Sequence, residues 1–206
     1  MWLSIGSLSF PVSWVAIVIA FFLTTGMLLL LKKKHIADYY GNAIFIFIIT
    51  WKLSVILFQF KFSIQNPLTI LYFNGGIKGF WLGLIAGCIY LFIIGKRKKQ
   101  AEMSIGDIFQ VWLMTFSIYE IVISIVDDYP LLFRVILILI NFGFVVMAIL
   151  KNNQIRWLQQ LLILFTVIQL LIYSVMDRLF SVPIMTYIIV VIALLIISKI
   201  KKVGAK

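Results

Sequence analysis

Apolar residues in this chain fall into long runs broken by short polar or turn-forming interruptions. Seven such runs can be cut out: 11–31, 42–60, 77–95, 105–126, 131–150, 157–176 and 183–198. Most approach the roughly 20 residues that an α-helix, rising about 1.5 Å per residue, needs to cross a hydrocarbon core about 30 Å thick. The last is short and is expected to begin before Pro183. A strand barrel would show segments of alternating polarity, and the runs LLFRVILILINFGFVVMAIL and YIIVVIALLIIS do not alternate. Helices are then the way to satisfy backbone polar groups in lipid. The pattern predicts an all-α integral membrane protein, a seven-transmembrane-helix bundle forming one polytopic domain over residues 1–206.

The interruptions carry the next layer of information. Short links such as DDYP, Asp127 to Pro130, force neighbouring helices to run antiparallel. The exception is the stretch from Lys61 to Lys78, whose apolar and aromatic middle, LTILYF, is expected to lie on or re-enter the outer leaflet. No basic residue precedes Lys32 and no convincing small-residue cleavage site follows the first run, so residues 11–31 read as a retained helix, not a removed signal peptide.

Composition agrees with the pattern: 64% of the 206 residues are hydrophobic and 12% charged, against roughly half and about a quarter in soluble domains. The net charge of +11 would suggest nucleic acid in a soluble protein, but its distribution excludes that partner. Thirteen of the 18 basic residues lie in alternate connections: Lys32, Lys33, Lys34, Lys96, Arg97, Lys98, Lys99, Lys151, Arg156, Lys199, Lys201, Lys202 and Lys206. The other connections hold Lys61, Lys78, Arg134 and Arg178, and Lys52 lies within a run. The positive-inside rule therefore predicts an N-terminus outside and a C-terminus in the cytoplasm. The lone Cys88 and lone His35 offer neither an internal disulfide nor a metal cluster of the usual kind, and no cofactor is expected. His35 is expected in a solvated cytoplasmic loop.

Few polar groups fall inside the apolar runs: Lys52, Glu120, Asn141 and Gln169. An ionised lysine facing lipid costs roughly 2.5–3.5 kcal/mol, so Lys52 is expected to face inward, where pairing with Glu120 would offset part of both burial penalties. The two form either a structural ion pair or the lining of a polar cavity that binds a headgroup or transfers a proton. Asn141 and Gln169 are expected to join helices. Gly79, Gly83 and Gly87 recur every four residues and make a smooth face for close packing. Gly75 and Gly76 precede a helix, where free N–H groups favour an anion, although such a pair is also an ordinary turn.

The order of features resembles the bacterial prolipoprotein diacylglyceryl transferases, seven-helix proteins with the N-terminus outside. SIGSLSFPVSW (Ser4 to Trp14) is similar to that family's opening, NPLTILYFNGG (Asn66 to Gly76) to its Asn-Pro stretch leading to a glycine pair, and GLIAGCIYLFIIGKRKKQAEMSIGDIFQ (Gly83 to Gln110) to its next helix, basic loop and Asp-bearing helix start. The likeness covers most of the chain and is strongest between residues 42 and 126. The departures fall on the family's chemistry. Its His-Gly-Gly falls near Phe80 and Trp81, its second-helix arginine at Lys52, and its Gly-Arg-x-Gly-Asn-Phe signature at Tyr119 to Ser124, with Glu120 where the arginine is expected. Its late Arg and Glu fall near Gln169 and Tyr173. No family catalytic residue is carried over intact.

The resemblance implies a multi-pass protein of the bacterial cytoplasmic membrane. It would bind phospholipid of the phosphatidylglycerol type through Lys52, Gly75, Gly76, Lys78 and Glu120, with transferase activity altered, weak or lost. A lipoprotein precursor or another membrane protein would be its partner. The alternative is a non-enzymatic membrane subunit: a transporter component, an assembly partner or an immunity protein.

Overall fold

A computed structural model describes residues 2–5, 8–65, 75–96, 104–151 and 154–203. The N-terminus forms a hairpin of β1 (Trp2–Ile5) and β2 (Leu8–Pro11), antiparallel with Trp2 opposite Pro11 and Ile5 opposite Leu8. Pro11 has no N–H to extend the ladder, and the chain turns at once into α1 (Val12–Leu30). Then follow α2 (Lys34–Phe58), the short α3 (Phe60–Gln65), α4 (Gly76–Lys96), α5 (Ile105–Val126), α6 (Leu131–Leu150), α7 (Ile155–Val175) and α8 (Val182–Val203). Six of these, α1, α2 and α5 to α8, are long and apolar enough to cross a membrane, while α4 contributes a shorter apolar stretch, Gly76–Leu91. Large apolar side chains such as Phe22, Leu57 and Leu131 are more than two-thirds exposed, as lipid-facing residues would be. The chain is a helical, multi-pass membrane protein.

By internal contacts it forms two compact units, residues 27–103 and residues 1–26 with 104–206. In the first unit α2 begins eight residues before the apolar run that predicts it, because Ile36, Ala37 and Tyr40 continue the buried stripe of Ala43 and Phe47 one turn at a time. His35 therefore stands on the first turn of α2 and not in a loop, exposed and stacked on Tyr39 with ring centroids 5.1 Å apart. The turn before it is a Schellman motif: Lys33 N–H donates to Leu28 O (2.9 Å) and Lys32 N–H to Leu29 O (3.0 Å), with Lys32 left-handed at φ 57°. α2 and α4 pack antiparallel along a glycine seam. A Cβ on Gly83 would lie 2.7 Å from the Phe47 carbonyl oxygen, and one on Gly87 3.3 Å from that of Ala43. The expected small-residue face is thus real, and α2 is what it packs against.

In the second unit α5 is the central helix. In its most apolar stretch 78% of residues are buried, against 22–39% in the other five candidate spans. A capping box starts it: Ser104 Oγ accepts from Asp107 N–H (3.1 Å), and the Asp107 carboxylate accepts from Ser104 N–H (2.9 Å). α6, α7 and α8 all pack on it. The link after α5 and the link after α7 meet at one end, where Arg178 pairs with Asp127 at 3.2 Å and Arg134 Nη2 donates to the Asp127 carbonyl at 3.0 Å. This agrees with the antiparallel course expected from short links. α7 closes in a second Schellman motif, with Asp177 left-handed at φ 53° and Arg178 N–H on Tyr173 O at 2.9 Å.

Candidate functional site

The glycine pair belongs to the α2–α4 seam. Gly75 N–H donates to the Trp51 carbonyl (3.3 Å), and the Trp51 indole N–H donates to the Gly76 carbonyl (3.0 Å). Ser54 Oγ donates to the same Trp51 carbonyl (2.6 Å), in the space that a Cβ on Gly75 or Gly79 would need. Gly76, at φ 59°, supplies the left-handed turn into α4. Gly75 is therefore a fourth packing glycine, with its amide engaged by α2. Lys78 stands on the first turn of α4 rather than in a loop, exposed, with Nζ 5.8 Å from the centre of the Phe58 ring. Lys52, next to the clamping Trp51, is half-buried. Of the segment 61–78 expected to lie on or re-enter the outer leaflet, 61–65 belong to α3 and 76–78 to α4, while 66–74, with the basic stretch 97–99, lie outside the described residues.

Phe80, expected near the position of the resembled family's histidine, belongs to an aromatic cluster. Its ring lies 5.5 Å from Phe47, 6.1 Å from Trp51 and 5.6 Å from Trp81, in edge-on contacts typical of a packing cluster.

In the other unit, polar groups from all four helices α5 to α8 meet between apolar layers. Glu120, on α5 and 5% exposed, accepts at Oε1 from the Tyr173 hydroxyl of α7 (3.0 Å) and from the Tyr187 hydroxyl of α8. Gln169 of α7 donates to Asn141 of α6 at 2.8 Å, so these two do join helices as expected. Gln110 Nε2 ties α5 to the Ala148 carbonyl at 3.1 Å. One turn below the carboxyl, Phe116, Phe165 and Tyr187 pack ring to ring, with Phe144 edge-on to Phe165. Above it, at the end of the unit, burial and a hydrogen bond to the Asp127 carboxylate push the Tyr129 phenol up from its ordinary range.

The expected site residues thus divide. Lys52, Gly75, Gly76 and Lys78 belong to one unit and Glu120 to the other, and Glu120 has tyrosine hydroxyls as its partners within its own unit. Neither Tyr173 nor Tyr187 is expected from the sequence as a partner of Glu120. Tyr173 lies one turn from Gln169, and a phenol inside an apolar run implies a polar partner, which was the available signal. Among the described residues no group of three or more His, Cys, Asp or Glu is placed to hold a metal ion. Comparison with family models, with curated proteins and with solved structures gives no match.

Proposed function

We propose that this chain is a seven-span protein of the bacterial cytoplasmic membrane, N-terminus outside, that resembles the prolipoprotein diacylglyceryl transferases in layout and binds the headgroup of an anionic phospholipid without their transfer chemistry. The observation that carries this is Lys78. Its ammonium is exposed on the first turn of an apolar helix, beside an exposed Phe58 and next to the corner that Trp51 pins at Gly76. An interfacial cation flanked by an aromatic ring suits a lipid phosphate, and the first-turn N–H groups of α4 add positive potential. Lys52, half-buried and next to Trp51 on α2, is the second cation this reading assigns to the headgroup.

The loss of chemistry rests on residue types. Diacylglyceryl transfer needs a thiol made nucleophilic and a phospholipid polarised for attack, and a base must take the proton. Phe80 cannot accept one. Glu120 and Tyr173 fall where the resembled family places an arginine and, nearby, a glutamate; here they bond to each other. The orientation rests on the basic connections, and the span count on the seven runs. In the four-helix unit Asp127 pairs with Arg178 at one end, while Lys151 follows α6 and Arg156 stands on the first turn of α7 at the other.

Native mass spectrometry of the purified protein tests the binding. Co-purified phosphatidylglycerol is expected, with retention reduced several-fold in Lys78→Ala and more weakly in Lys52→Ala. Equal retention in both variants would favour the second reading, a non-enzymatic subunit that binds another membrane protein, which the closed packing around Phe80 also suits.

A further inference from the structure

Glu120 sits in a surrounding built for a carboxyl group that changes its charge. It is buried inside a membrane-spanning unit, where an ionised side chain is costly unless something compensates it. The groups facing it can be named element by element. From α7 comes Tyr173 and from α8 Tyr187, both on Oε1. On α5 itself Tyr119 is adjacent, and the Ser124 hydroxyl donates to the Glu120 carbonyl at 2.7 Å. On α6, Asn141 is engaged by Gln169 and by the Leu137 carbonyl. The arginines at this end of the unit are committed elsewhere: Arg134 to the Asp127 carbonyl and Arg178 to its carboxylate.

Among the described residues the side-chain partners of Glu120 are hydroxyls, and a hydroxyl both donates and accepts. When the carboxyl is ionised, both phenols donate to it. When it carries a proton, that proton can be given to one phenol oxygen while the other phenol still donates. In both forms the carboxyl keeps a hydrogen bond to each phenol by rotation of hydroxyl hydrogens, the accepting phenol turning its own hydrogen away, with no movement of the helices. A lysine or arginine partner would fix the ionised form instead. We propose that Glu120 is a membrane-buried proton-binding site, exchanging its proton with the face that carries Asp127 and Tyr129, two helical turns from it along α5.

Infrared difference spectroscopy on the protein in lipid nanodiscs, comparing unaltered protein with Glu120→Gln across pH, tests this. The expected result is a carboxylic acid band that gives way to a carboxylate band as pH rises and is lost in Glu120→Gln. Tyr187→Phe, which removes a donor to the ionised form, should make the acid band persist to higher pH. Lys52→Met should leave the titration in place. A difference spectrum showing only carboxylate, or only acid, at every pH overturns the proposal, and so does a titration abolished by Lys52→Met. If Glu120→Gln does not fold, a hydrophobic carbodiimide on the unaltered protein decides the same question. The carboxyl oxygen bonds to the carbodiimide carbon as the acid proton passes to its nitrogen, and an acyl shift leaves a stable adduct. An adduct mapped to Glu120 that forms faster at lower pH supports the site, and none at any pH contradicts it.

Discussion

Single residues set the polar interior of the four-helix unit. Glu120 and Tyr187 hold α5 to α8 through a hydrogen bond that neither helix makes by backbone. A double-mutant cycle of Glu120→Gln and Tyr187→Phe should therefore give a coupling of about 1–2 kcal/mol in detergent unfolding, and losses that simply add would show no interaction. Lys32 and Asp177 are left-handed at the ends of α1 and α7, a conformation costing a residue with a Cβ roughly 1–2 kcal/mol. Asp177→Gly should raise stability by up to about 1 kcal/mol, read as a shift of roughly 2–4 °C in the thermal midpoint; an unchanged or lowered midpoint would contradict the Schellman assignment. At this scale the sequence was only partly legible. It marked Glu120, Asn141 and Gln169 as expensive in lipid, but gave no reason to prefer two distant tyrosines as the carboxyl's partners, since a helix run of apolar residues does not reveal which helix lies opposite.

Elements follow spacing more faithfully than partners do. The four-residue repeat of Gly79, Gly83 and Gly87 announced a packing face, and the structure supplies α2 as its counterpart. Gly83→Ala should destabilise by about 1–3 kcal/mol, because its Cβ would lie 2.7 Å from a backbone oxygen that cannot swing away. Gly143→Ala on α6, with nothing within 4 Å of the new Cβ, should be neutral or stabilising by about 0.5–1 kcal/mol. Equal losses from both would mean that the seam is misplaced. The start of α2 was misread because KHIADYY looks like a polar loop when only apolar runs are followed, while its Ile36, Ala37 and Tyr40 lie on the buried face of a continuing helix. The N-terminal hairpin was not legible, because its two strands are four residues each, too brief for strand periodicity to separate them from a loop.

At the scale of the whole molecule, hydropathy made the membrane class legible. Charge asymmetry gave an orientation, which rests on the basic connections alone. The division into two compact units was not legible, since no Pro, Gly or Ser-rich linker marks residues 26–27 or 103–104. Which face of the membrane carries the α2–α4 corner decides whether its lysine meets outer-leaflet headgroups. Substituted-cysteine labelling settles it, with Lys34→Cys, Lys78→Cys and Lys151→Cys made singly in a Cys88→Ser background and exposed on intact cells to a membrane-impermeant thiol reagent. Labelling of the Lys78 position alone is the predicted result. Labelling of the Lys34 or Lys151 position from outside, or protection of the Lys78 position until the cells are permeabilised, would contradict the account.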